Sequence, residues 1–386
     1  MLSEIHEITN ESIEDPQMSP RRRAVFFGGG IGMFPPLSVR FAATFEVVQV
    51  ITPRLPQIYK WFFFITSFRL PKSAWYRKWV QLMDHTPFSF RAITRQNERK
   101  LEKIDGQYDF VMFLGAMNSP GRYLKKPLFI MTDSCRWLSS QNIYDESCHF
   151  SSESAKKEWL SLEGAVYLRA KRIFVGSNFV RDALVHAYGV NAGRVKVTGF
   201  GAGAAFGHPY DKEFDGRSIL YIGKGDFEKK GGLVLLRAFE ILRKTRPDAV
   251  LHIVGQEGIS PMTGVICHGF VSDREALVAL MRAANVLVLP SLVDRFGIVL
   301  VEAMAAATPC IASDYGALPE IVGDAGLIVP AGDTQKLVEA MESVLADCNL
   351  AARLGKNGRR RFEEKYNWDA IWQGMRREIL ESLDAA

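Results

Sequence analysis

The chain has 386 residues, enough for two domains of ordinary size. Hydrophobic residues make up 47% and charged residues 24%, which excludes a disordered chain and a bundle of membrane helices. With 48 Lys and Arg against 43 Asp and Glu the net charge is only +5, far below that of a dedicated nucleic-acid binder. Cys135, Cys148, Cys267, Cys310 and Cys348 form no C-x-x-C pair, so neither a zinc ribbon nor a disulfide scaffold is expected.

Residues 1–20 carry Glu4, Glu7, Glu11, Glu14 and Asp15 and no Lys or Arg. This acidic leader is the opposite of a secretory n-region, and a cytoplasmic location is expected. A buried strand follows at Ala24–Phe27, stopped by Gly28-Gly29-Gly30, with a helix near Pro36–Thr44. Further strands are expected at Phe45–Val50, Phe110–Leu114, Leu128–Met131 and Ile173–Val175. Ser177 or Asn178 then caps a helix to about Ala187, and Val195–Val197 closes this half. Alternating strands and helices imply a parallel sheet covered on both faces.

Gly199, Gly201, Gly203, Gly207 and Gly216, with Pro209, interrupt that pattern and read as an interdomain loop. The alternation then restarts. Strands are expected at Ile219–Ile222, Val250–Val254, Val286–Leu289, Pro309–Ala312 and Leu327–Val329. Helices are expected at about Gly232–Lys244, Arg274–Ala283, Ile298–Ala306 and Thr334–Leu345. The expected organisation is a leader (1–20), a first α/β domain (21–200), a linker (201–217), a second α/β domain (218–366) and a C-terminal helix (367–386) crossing back to the first.

The most informative segment runs from Pro290 to Pro330. Asp294 sits in a loop after a strand, Phe296-Gly297-Ile298 opens an apolar helix, and Glu302 is the acid within it. Such a loop and helix start offer backbone N–H groups and a positive dipole end to a diphosphate. Gly297 permits close backbone approach. Asp294 has the chemistry to hold sugar hydroxyls and Glu302 to hold a ribose. In the second informative segment, a strand feeds Gly223-Lys224, a polar loop and then Lys230-Gly231-Gly232 at a helix start. Cations here would meet an anion at the strand end.

This set of residues resembles the donor-binding signature of retaining, family-4-type glycosyltransferases (glycosyl transferases group 1). The matching residues are Phe296, Gly297, Glu302, Ala303, Met304, Ala305, Ser313, Asp314, Gly316, Pro319 and Glu320. The resemblance implies a GT-B fold, two Rossmann-like doubly wound domains facing across a cleft. It also implies metal-independent transfer of a hexosyl group from a nucleotide-sugar to a glycan or lipid-linked acceptor in polysaccharide or glycolipid biosynthesis. The nucleotide-sugar is a co-substrate; no cofactor and no metal are expected. Lys230 and Lys224 would neutralise the diphosphate, the Phe296-Gly297 backbone would cradle it, and Gly255 and Phe270 would border the nucleobase. Two departures stand out. The family usually has Glu where this chain has Asp294, and Arg where it has Lys224. A non-catalytic sugar-nucleotide binder and a nucleotide-sugar epimerase on the same fold are the rival readings.

In the first half, Gly28 to Gly32 does not fit G-x-G-x-x-G, because Met33 takes the last glycine's place. The resemblance puts Gly29 and Gly30 beside the donor diphosphate; the alternative is a tight strand-to-helix turn. Asp133 follows a strand and is either a functional acid or an Asx-turn residue. Residues 54–100 hold ten Lys or Arg against Asp84 and Glu98, or +8, leaving −3 for the rest of the chain; eleven aromatics are interleaved. This stretch is either a cationic face over an aromatic core or a surface for an anionic membrane. A nucleic-acid platform is the weakest reading, and no nucleic-acid partner is expected.

Overall fold

The computed structural model describes residues 21–28, 35–68, 75, 79, 86–122, 124–142, 150–202, 212–223 and 225–385. The leader, Gly29, Gly30 and Lys224 lie outside the described residues, as does most of the expected linker. The chain divides into two compact units. The first comprises residues 1–176, 180–198 and 372–386, the second residues 177–179 and 199–371.

The first unit is built on a six-stranded parallel sheet in the order β2-β1-β3-β4-β5-β6. Its strands are β1 Arg23–Phe27, β2 Glu46–Ile51, β3 Phe110–Leu114, β4 Leu128–Thr132, β5 Arg172–Val175 and β6 Val195–Val197. The central strands are buried along almost their whole length, which is why they read as unbroken apolar runs. Phe41 and Phe45 pack with Phe110 of β3 and Phe129 of β4 in tilted and edge-on pairs, with centroids 5.0–6.0 Å apart. Each such ring contributes roughly 1.5–3 kcal/mol by leaving water. Helix Trp368–Asp384 adds Trp372 to this cluster, its Nε1 donating to Thr44 Oγ1 at 3.1 Å.

The second unit repeats the plan in the order β12-β11-β10-β7-β8-β9. These are β7 Ser218–Ile222, β8 Val250–Val254, β9 Val265–Cys267, β10 Val286–Leu289, β11 Cys310–Ser313 and β12 Gly326–Val329. Helices Gly232–Thr245 and Thr334–Ala346 cover one face through Leu235, Phe239, Leu242, Leu337 and Met341. All pairings in both sheets are parallel, so all strand carboxyl ends of a sheet lie on one edge.

Several elements were not expected. Strand β9 is three residues long and largely exposed, too short to show a period. Helices Gln57–Thr66, Pro87–Glu102, Glu153–Arg169 and Cys348–Arg361 fill stretches without an assignment. Phe63 is buried with Leu55, Ala92 and Ile93, while Ile58, Trp61, Phe62 and Ile65 are 58–74% exposed. No helix among the described residues is long and apolar enough to cross a membrane.

Candidate active site

In the second sheet the strand order reverses at β7. The chain steps outward through β8 and β9, then returns to β7's other side with β10. A crevice forms at such a reversal, outside the carboxyl ends of the two strands concerned. Those ends are Ile222 and Leu289, so the two loops that matter are 223–231 and 290–297. They are the two segments singled out in the sequence.

The two loops are fastened to each other. Leu292 N and Val293 N both donate to Lys229 O, at 2.8 and 3.1 Å. Gly231 has φ +74°, and a Cβ there would stand 1.9 Å from the Pro290 carbonyl oxygen. Only glycine supplies both the left-handed backbone and the space. A third loop joins through Gln256, whose Nε2 donates to Gly223 O at 2.6 Å and Gly225 O at 3.0 Å. Gly255, at φ +90°, donates its N–H to Gly269 O at 2.7 Å, tying the β8 and β9 ends together.

Lys230 and Asp294, 64 positions apart, meet across this seam with Nζ 2.7 Å from Oδ2. The carboxylate is the more buried partner, its side chain 11% exposed against 28% for the lysine. Asp294 Oδ1 accepts from Phe296 N at 3.2 Å and Gly297 N at 2.8 Å. Phe296 and Gly297, whose backbone is expected to cradle a diphosphate, thus donate to the chain's own carboxylate here. An aspartate bonds N–H groups two and three residues ahead; a glutamate at this position is less suited to that turn. Gly297, at φ +74°, starts helix Ile298–Ala305, and a Cβ on it would meet Leu318 Cδ2 at 2.5 Å. Phe296 is buried against Phe200, centroids 4.8 Å apart.

Glu302 lies one turn into that helix, 5% exposed, with Oε1 3.7 Å from Arg274 Nη1. Phe270 is 62% exposed. Beneath the seam, the Tyr221 hydroxyl is buried and has no hydrogen-bond partner among the described residues. Burial, and then the carboxylates of Asp294 and Asp226, push its ionisation well upward, so it stays a neutral phenol. Sequence reasoning missed Arg274, Gln256 and Tyr221. Arg274 follows the helix cap Asp273, the one local cue. Tyr221 reads as an ordinary core residue.

Asp133 belongs to the first unit, half-buried just beyond β4. In the same turn Thr132 Oγ1 donates to Ser134 O at 2.5 Å. The loop rests on Glu163, which is buried. Its two oxygens accept from Arg136 N at 3.1 and 3.2 Å, at the start of helix Arg136–Gln141. Tyr167 Oη donates to it at 3.2 Å, and Tyr188 Oη also donates to it while accepting from Trp137 N at 3.1 Å. Burial outweighs these hydrogen bonds and raises the Glu163 carboxyl to about 7. Burial, followed by the Glu163 charge, pushes the neighbouring Cys135 thiol up to about 12.

Residues 210–361 match the family model described as Glycosyl transferases group 1. That match lies within the second unit and covers less than half of the chain. Among curated relatives, residues of this chain are 36% identical over 166 positions to the MMP alpha-(1->4)-mannosyltransferase of Mycolicibacterium hassiacum, covering 40% of each chain. They are 34% identical over 182 positions to the phosphatidyl-myo-inositol mannosyltransferase of Mycolicibacterium smegmatis, covering 45% of this chain and 47% of that one. The match therefore spans less than half the length of either relative. The sucrose-phosphate synthase of Thermosynechococcus elongatus shares the fold over 95% of this chain and 100% of its own, with a TM-score of 0.66 at 21% identity. The α/β fold, two Rossmann-like units of GT-B type, is shared with this solved glycosyltransferase.

Proposed function

We propose that this protein is a group 1 glycosyltransferase that moves a hexosyl group, with retention, from a nucleotide-sugar to a glycan or lipid-linked acceptor in glycolipid or polysaccharide biosynthesis. The observation that carries the reading is the Lys230–Asp294 pair at the strand-order reversal. A donor diphosphate competes with Asp294 for the Lys230 ammonium, and the start of helix Ile298–Ala305 adds its field. Asp294 keeps its two backbone donors when Lys230 turns to the phosphate, and its released oxygen is available to sugar hydroxyls. Glu302, oriented by Arg274, is the ribose acceptor group. With charge on the leaving diphosphate met by lysine and backbone, the reaction needs no metal. Lys224, Gly29 and Gly30 enter this reading by the resemblance. The two relatives named as mannosyltransferases support the hexosyl class.

The acceptor reading extends to location. Ile58, Trp61, Phe62 and Ile65 lie at i, i+3, i+4 and i+7 of helix Gln57–Thr66 and face solvent. The adjoining helix Pro87–Glu102 exposes Arg91, Arg95 and Arg99. An apolar stripe beside a cationic row has the composition of an interfacial helix on an anionic bilayer, which supports reading the protein as a cytoplasmic enzyme peripheral to the inner membrane face.

The test is incubation of purified protein with labelled UDP-, GDP- and ADP-sugars, with and without EDTA, and NMR of the product's anomeric centre. Transfer that survives chelation and keeps the donor's anomeric configuration supports the reading. Calorimetry that detects no nucleotide-sugar binding would sink it. Flotation with phosphatidylglycerol vesicles tests location, and binding indifferent to salt and to Trp61→Asp would refute the membrane assignment.

A further inference from the structure

A cavity of about 610 Å³ opens on the first unit at the edge opposite the strand carboxyl ends. It lies where β4 begins at Leu128, β5 begins at Arg172, and Arg194 precedes β6. Substrates of doubly wound sheets bind at the other edge, so this is not the fold's usual crevice. Its lining carries six cations, Lys125, Lys126, Arg169, Lys171, Arg172 and Arg194, and no acid.

The arginines are held in place by the protein. Arg169 donates through Nη1 and Nη2 to the carbonyl oxygens of Gly121 and Leu124. Arg194 Nη1 donates to Leu168 O at 3.2 Å. Arg172 Nε donates to Glu378 Oε2 at 3.1 Å, and Glu378 is shared with Lys196 at 2.8 Å, so this one charge is partly answered. Among the described residues, no carboxylate forms an ion pair with Lys125, Lys126 or Lys171. Asp109 lies close enough to Lys126 to feel its charge, but pairs with Arg23. Like charges gathered on a concave surface repel one another and concentrate counter-anions. Leu124, Pro127 and Ala170 provide an apolar floor. The volume exceeds what a lone phosphate needs and falls among small-molecule sites.

We infer that this cavity binds a phosphate-bearing ligand with a compact organic part, the phosphate engaging the lysines and the preset guanidinium groups. Planar guanidinium forks match phosphate oxygens in pairs, while lysines add movable point charge. The inference goes beyond the transfer reading and does not depend on it. A soluble phosphorylated metabolite and a phospholipid headgroup share this chemistry.

The test uses the full chain carrying Lys230→Ala, so that the second unit's lysine does not contribute. Inorganic pyrophosphate is titrated by calorimetry at fixed ionic strength, and phosphatidylglycerol vesicles are assayed by flotation. The same background with Lys125→Glu and Lys171→Glu, both outside the core, is compared after circular dichroism confirms folding. Weakening by about tenfold or more on the double change is expected for pyrophosphate, for vesicles, or for both. Pyrophosphate dependence identifies a soluble ligand, and vesicle dependence alone a headgroup. Binding of neither probe, or an equal loss from Lys336→Glu on the other unit, would overturn the site.

Discussion

The two sheets share a plan, yet their carboxyl edges are built differently. In the second unit, the loops after β7 and β10 are joined by backbone hydrogen bonds and by an approach at Gly231 that only glycine allows, and an ion pair closes the seam between them. In the first unit, the loop after β4 is held from beneath by side chains, with buried Glu163 accepting from a helix start and two tyrosines. Backbone locking leaves a fixed pattern of small residues in the sequence. Side-chain support leaves an ordinary glutamate in an ordinary helix. The contrast explains why one edge is readable and the other is not, and it can be tested from both sides.

The largest effect is expected at Gly231. Alanine there needs a left-handed backbone and meets the Pro290 carbonyl, so Gly231→Ala should cost on the order of 4 kcal/mol. Urea unfolding followed by far-UV circular dichroism measures this. If the loss is below 1 kcal/mol, the seam is not locked by backbone contact. Next comes Lys230→Ala. With its charge aimed at the leaving diphosphate, kcat/KM should fall by roughly 10²–10³, about 3–4 kcal/mol, with stability little changed. Arginine at this position should restore part of the rate. A tenfold or smaller loss would assign the diphosphate to other groups.

The first unit's edge responds to pH instead. The Glu163 carboxyl is raised from 4.5 to about 7 by burial, so the folded state holds a proton that the unfolded chain releases. Between these values the unfolded state binds fewer protons, and stability falls as pH rises. The loss is complete once pH passes the folded value and amounts to roughly 3 kcal/mol. Glu163→Gln carries no titrating proton, so its unfolding free energy should lack this slope between pH 4.5 and 7. Denaturation at pH 5, 6 and 7.5 decides, and parallel pH profiles for the two proteins would remove Glu163 as the origin.

Much of this was legible in the sequence, for reasons that can be located. The central strands of both sheets announce themselves because burial on two faces demands continuous apolar residues. Lys230-Gly231-Gly232 and Phe296-Gly297 were visible because their glycines answer local backbone needs. The hydrogen bonds from the Phe296 and Gly297 N–H groups to Asp294 were not foreseen, because a three-residue turn of this kind carries no mark beyond the aspartate itself. The meeting of Lys230 with Asp294, or of Glu302 with Arg274, depends on strand order and exists only in three dimensions. Glu163 was invisible because buried charge is rare and helix Glu153–Arg169 has no clear apolar stripe to mark its inner face.

The smallest expected effect separates a binding surface from a structural one at the second unit's own edge. Phe270 lies beyond β9, near Gly269, whose carbonyl accepts from Gly255. It is 62% exposed, so Phe270→Ala removes little buried surface and should change stability by no more than about 0.5 kcal/mol. If the ring stacks on the nucleobase, its removal costs about 1 kcal/mol of donor binding, felt equally in ground and transition states. The donor KM then rises about fivefold while kcat stays constant. Steady-state kinetics with saturating acceptor reads the two separately. A fall in kcat at constant KM would instead mean that the β8–β9 edge acts on the chemical step, and that the locked seam and this edge work as one device rather than two.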